Sequence, residues 1–440
     1  MRRNPYKRPI SRTRFDYGRK NRRRSSVLFA LQLTALFLCG SIIVTSSVLL
    51  YQYWPGREAV PVSSTLPSVQ ETALPTESAA PTPVVSKEFL PSNPLIENFF
   101  GPLPLVESPE EVRRFEVQGL YIGARSTDFL KATINQFKDT PVNTFVIDLK
   151  ESNGVLFDSK NETAREAQLI KSNYYLKTIV DLCHENNIKV IGRIVCFKDP
   201  DLAVFDPSRS IQDKDGNPLQ FKVESNKYFV NPYDTRNWDY NIELALEAVA
   251  AGVDEIQLDY VRFPAGGTVS GAEPYFGDPT RTPSKAQVIN RFLQTARIRI
   301  QEEHGVPVTA DVFGIVVSSS YDGQLIGQDW ATVGLTGISA VSPMIYPILY
   351  ANGTTLNGKT FDKPNSHPHD VVYNALMSGK QATGIPNYTV VRPYLQAWGE
   401  TYGYPQINAQ IRAVYDAGFS EWILWNADAS YPTGSYDGAP

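Results

Sequence analysis

From about residue 115 onward one unit recurs along the chain: a short β-branched or aromatic run, then a helical pattern. The runs fall at 116–124, 144–151, 189–197, 255–263, 307–314, 337–347, 389–398 and 421–428. Helices are predicted between them at 127–137, 173–187, 235–252, 284–304, 367–380 and 405–417, with a short one near 328–334. Alternation of this kind implies parallel strands joined by helical crossovers. Eight such strands make an α/β fold that favours closure into a (β/α)8 (TIM) barrel over an open doubly wound sheet. No Gly-rich dinucleotide fingerprint follows the first run, which argues the same way. The clearest helix opens at Ser284 as N-cap and closes at Gly305; another starts at a Thr235 cap and stops at Gly252. Only about a dozen residues follow the eighth run, so a full eighth helix is missing, and residues 96–115 are expected to cover that gap.

In a parallel barrel both strand faces are buried, so a strand should be almost wholly apolar. Active sites form at the C-terminal strand ends, where polar residues are the exception to that rule. Acids recur there: Asp148 in VIDLKE, Asp259 in IQLDYVRFP and Asp311 in VTADVFG. Strand alternation places Asp148 with Lys150, Asp259 with Gln257, and Asp311 with Thr309 and Phe313. The three acids are therefore expected to converge on one pocket. Asp148 suits either substrate binding or an internal ion pair with Lys150 or Arg193, and Glu151 either the site or a cap on the following loop. An unpaired buried carboxylate costs several kcal/mol, so Asp259 and Asp311 need a partner or a use. Arg262 is expected either to neutralise Asp259 or to hold it ionised. Aromatic residues gather at the same end; Tyr346, Trp398 and Trp425 are candidate platforms for the flat C–H faces of a sugar. Asn426, Gln396 and Arg392 are candidates for hydrogen bonds to hydroxyl groups.

Other chemistries are poorly represented. There is no HExxH, GxSxG or P-loop, and His367 and His369 stand in a loop-to-helix turn, so neither a cofactor nor a metal is expected. The long third loop, with DKDGN and NPYDTR, reads as a lid, a subsite wall or a surface turn. Cys183 and Cys196 are expected to be buried free thiols, with a disulfide as the open alternative.

The combination VIDLKE, LDYVRFP, ADVFG and SPMIYP resembles a bacterial family of glycosidase domains long catalogued only as a domain of unknown function. The resemblance runs over about 115–430 and implies a glycosidase-like barrel. More distantly, an Asp ending strand four followed by an acid ending strand five looks like the α-amylase clan, with a nucleophile first and a proton donor second. Carried over, those are Asp259 and Asp311. Two departures stand out: the clan's donor is usually Glu, and its Arg precedes the nucleophile by two residues, whereas Arg262 follows by three. The expected function is glycoside hydrolysis by two carboxylates, with Asp148, Lys150 and Arg262 tuning charge and Tyr346 and Trp425 binding sugar; the alternative is a non-catalytic carbohydrate-binding barrel.

The first 25 residues hold eleven Lys and Arg against one acid, so with a chain total of −4 the remainder carries −14. An acidic body argues against a nucleic-acid partner. Residues 26–54 lack charge and are long enough to span a bilayer, with Tyr51, Tyr53 and Trp54 at the interface. The span's length and the absence of a clear cleavage site favour an uncleaved anchor over a signal peptide, and Cys39 within it reads as an apolar residue. Positive charge before the span places 1–25 in the cytoplasm and the rest outside the cell membrane. Residues 55–95 are rich in Pro, Ser and Thr and read as a disordered extracellular linker. The barrel domain is assigned to 96–440, with an extracellular or cell-wall polysaccharide as its expected partner.

Overall fold

The computed structural model describes residues 89–91, 93–381, 389–400 and 402–439. The expected basic tail, membrane span and nearly all of the linker lie outside these residues. Among the described residues no helix is long and apolar enough to cross a membrane.

The eight expected runs all form strands: β1 Gln118–Tyr121, β2 Thr144–Glu151, β3 Lys189–Val195, β4 Glu255–Asp259, β5 Val308–Phe313, β6 Ala340–Ile345, β7 Val390–Val391 with Tyr394–Gln396, and β8 Trp422–Trp425. Neighbours in sequence pair in parallel, and β1 pairs with both β2 and β8, which closes the sheet into a barrel. β7 is drawn in two pieces because Pro393 has no N–H to give to the ladder. Phe145, Ile147, Leu149, Ile256, Leu258, Val308, Ala310 and Val312 belong to the core that packs the barrel against its helices. The opposite set, Val117, Val146, Ile191, Tyr394 and Ile423, fills the interior. Burying apolar side chains on both faces is what demands the near-continuous hydrophobic runs in the sequence.

Helices Thr127–Phe137, Leu176–His184, Thr235–Ala250, Pro368–Gln381 and Tyr404–Asp416 stand where periodicity places them. Lys285–Ala296 opens with a full capping box between Ser284 and Gln287, then widens into a π-helical stretch, Arg297–Glu302, before Gly305 at φ +67°. One cap differs from expectation. Asp234, not Thr235, accepts the N-terminal hydrogen bond of Thr235–Ala250, since its carboxylate suits the positive end of the helix. In the long third loop, DKDGN is an exposed turn closed on Asp213, and NPYDTR leads into that helix. Cys183 and Cys196 are both free and buried.

The missing eighth helix is replaced differently from expectation. Pro94–Phe100 packs on the other side, with Phe100 against Trp238 and the Gly101 carbonyl on Arg291. Residues 110–114 contact the strand starts, where the Arg113 N–H donates to the Gly305 carbonyl and Arg114 pairs with Glu421. The gap is filled by the C-terminal segment. Tyr436 packs on Phe137 and Tyr404, and the Tyr431 hydroxyl donates to the Tyr121 carbonyl at 2.6 Å with the Leu424 carbonyl 3.1 Å away, across the β1–β8 seam. The large aromatic rings of that segment supply the apolar surface that 96–115 was expected to bring.

Candidate active site

Strands β2, β4 and β5 each deliver an inward carboxylate to the C-terminal end of the barrel: Asp148, Asp259 and Asp311. All three are buried, Asp259 to 4% exposure and Asp311 to 1%. Between β2 and β4 lies β3, and its Arg193 bridges them. Nη1 donates to Asp148 Oδ1 and to Glu151 Oε1, both at 2.6 Å. Nε and Nη2 donate to Asp259 Oδ2 at 3.0 and 2.6 Å. The Tyr121 hydroxyl donates to Asp148 Oδ2 at 2.5 Å, and the Tyr260 backbone N–H to Asp259 Oδ1 at 2.6 Å. The Glu151 side chain, one-third exposed, is where solvent reaches the cluster.

The carboxyls differ in electrostatic state. Burial pushes Asp148 up to about 6, against the pull of Arg193. Burial also works on Glu151, but Arg193 outweighs it and holds that carboxyl below its ordinary value. Asp311 is raised well above the carboxylate range, first by burial and then by the charge of Asp259. Neither Asp311 oxygen has a hydrogen-bond partner among the described residues, nor does the hydroxyl of Ser342, paired with it on β6. A buried carboxyl without donors neutralises itself by keeping its proton.

Above the acids, aromatic rings form one wall. Trp398 meets Trp425 edge-on at 4.9 Å and Tyr346 at 4.7 Å, and Trp425 lies 5.8 Å from Tyr121. Trp398 and Trp425 remain part-exposed. The three expected platforms thus stand together.

Other candidates fall elsewhere. A register shift between Asp148 and Lys150 turns Lys150 off the shared face. It is fully buried, paired with Asp199 at 2.8 Å and bonded to the Val195 carbonyl. Arg262 does not neutralise Asp259; it binds Glu224 at 2.8 Å, because the chain leaves strand geometry at Tyr260. Arg193 takes the expected role instead. Asn426 spends both amide hydrogens on the carbonyls of Ala397 and Ser430, bracing its loop. Arg392 lies far down the barrel with Glu255 and Glu421, and the buried Gln396 side chain is bonded to the Ile348 and Trp398 backbone and to Asn365. A separate cavity of about 120 Å³ is lined by Phe221, Phe263, Phe276, Glu273 and Lys285, and by none of Asp148, Glu151, Asp259 and Asp311.

Arg193 entered the sequence reading only as a possible ion-pair partner of Asp148. Its signal was a lone Arg within the apolar run KVIGRIVCF. Glu224 carried no such signal, since it ends a single 3-10 turn, Lys222–Glu224, within the long third loop.

A closed parallel barrel with carboxylates at its C-terminal mouth is a glycosidase-like architecture. The chain belongs to the family described as "Putative glycosyl hydrolase domain", whose model matches residues 119–431. A hypothetical protein from Ruminiclostridium thermocellum is 35% identical, over 44% of this chain and 97% of that one, with a TM-score of 0.39. The glycoside hydrolase domain of PgaB (BpsB) from Bordetella bronchiseptica is 12% identical, over 72% of this chain and 95% of that one, with a TM-score of 0.53. At that identity the second likeness speaks to fold alone. No curated protein matches the chain.

Proposed function

We propose that the protein hydrolyses a glycosidic bond in an extracellular or cell-wall polysaccharide by a two-carboxylate mechanism. Asp259 attacks the anomeric carbon or stabilises its positive charge. Asp311 protonates the departing oxygen. Tyr346, Trp398 and Trp425 stack on sugar rings, while Asp148, Glu151 and Arg193 set the charge of the mouth. The observation that carries this reading is the contrast between two acids on adjacent strands. Asp259 receives three donors, as an ionised nucleophile requires. Asp311 receives none and holds its proton, as a general acid requires. In this reading residues 26–54 anchor the chain and hold the barrel outside the cell membrane.

A second reading, a non-catalytic carbohydrate-binding barrel, is favoured by one observation, the near-complete burial of Asp311. A panel of bacterial wall and capsular polysaccharides separates the two. Turnover by wild type, lost in Asp259→Asn and Asp311→Asn, is expected. Binding without turnover, unchanged in the double variant, identifies the binding protein.

A further inference from the structure

Asp259 is followed by a residue in a backbone conformation that side chains with a Cβ seldom adopt: Tyr260, at φ +51°. Such a conformation persists only where its surroundings over-determine it. Here two cations lie against the Tyr260 ring, Lys198 Nζ 5.0 Å and Arg262 Cζ 4.8 Å from its centroid. One carboxylate holds both: Glu224 pairs with Lys198 at 3.1 Å and Arg262 at 2.8 Å. Glu224 belongs to the loop after β3, is 6% exposed, and makes no contact with Asp259 or Asp311 that would place it in the reaction. The left-handed turn at Tyr260 is accompanied by its N–H pointing back at Asp259 Oδ1, 2.6 Å away.

We propose that Glu224 is a positioning residue: through Lys198 and Arg262 it clamps the Tyr260 ring, and so keeps the Tyr260 N–H directed onto the Asp259 carboxylate. The inference rests on Asp259 as the reacting carboxylate. Without Glu224 nothing holds the two cations together against the ring, and Tyr260 is released toward an ordinary extended conformation. The Asp259 carboxylate then loses the backbone donor on its Oδ1.

The test uses the full chain and three variants, Glu224→Gln, Tyr260→Ala and Tyr260→Gly. Glu224→Gln is expected to lower kcat about 10- to 100-fold, the worth of a hydrogen bond to a charged group. KM should stay within about 2-fold, since ground-state binding is untouched. The Tyr260 pair gives the signature that a purely structural role would not. Both lose the ring, but glycine tolerates the left-handed conformation, so Tyr260→Gly should exceed Tyr260→Ala in kcat by about 5- to 30-fold. Amide hydrogen exchange at residue 260 reads the same ordering without turnover: it should be faster in Glu224→Gln and in Tyr260→Ala than in wild type, and less so in Tyr260→Gly. Equal Gly and Ala variants, or unchanged exchange in Glu224→Gln, overturn the positioning role. Should Glu224→Gln fail to fold, the Tyr260 pair decides. Full turnover by Asp259→Asn sinks the functional reading instead, and the amide exchange still judges the clamp.

Discussion

Arg193 shows how one side chain can organise a site: its guanidinium touches three carboxylates from two neighbouring strands. The fork geometry matters more than the charge, because a lysine ammonium could not reach both Asp148 and Asp259. Asp311 lies outside that reach, and its raised pKa makes a stability prediction. A folded-state pKa above the unfolded value means that Asp311 contributes stability fully below about pH 4, and that this is lost as pH rises from there through its raised folded-state value. Asp311→Asn removes the titration while keeping the shape. Its melting temperature should therefore gain on wild type as pH rises from about 4 to about 7, read by calorimetry; a constant difference would refute a raised Asp311. At this scale the sequence was partly legible. Asp259 and Asp311 stood out because a carboxylate in an apolar strand is conspicuous, and both lie buried on β4 and β5. Lys150 and Arg262 were misplaced because a register shift and a left-handed residue each break the alternation that the reading assumed.

Strands and helices were the most legible level, since burial on two faces writes a near-continuous apolar run and burial on one face a helical period. The closure of the barrel was less so. The C-terminal segment has no periodicity, yet its aromatic rings take the place of a helix. Tyr436 is fully buried, and Tyr436→Ala should cost about 3 kcal/mol in urea denaturation. Leu105, 89% exposed in the segment first expected there, should change stability by less than about 0.5 kcal/mol when replaced by alanine. Equal losses at the two positions would contradict this assignment of the gap. Loops remained opaque for a related reason: Glu224 is placed by ion pairs between distant segments, which no local pattern records.

At the scale of the whole molecule, an acidic body follows a basic head and an uncharged run. If that run is an anchor, the full chain should sediment with membranes, resist carbonate extraction, and expose its barrel to protease added to intact protoplasts. Release by carbonate would contradict the anchor without touching the site. The central claim is that Asp259 and Asp311 divide the labour of glycoside cleavage, and leaving-group dependence tests it most directly. With a natural glycan, Asp311→Asn should lose about 10²- to 10⁴-fold in kcat/KM, the usual worth of general acid catalysis. With an aryl glycoside whose leaving group needs no proton, the same variant should recover most of wild-type activity, and Asp259→Asn should remain inactive on both. If Asp311→Asn is equally impaired on the two substrates, or unimpaired on either, Asp311 is not the proton donor and the account fails.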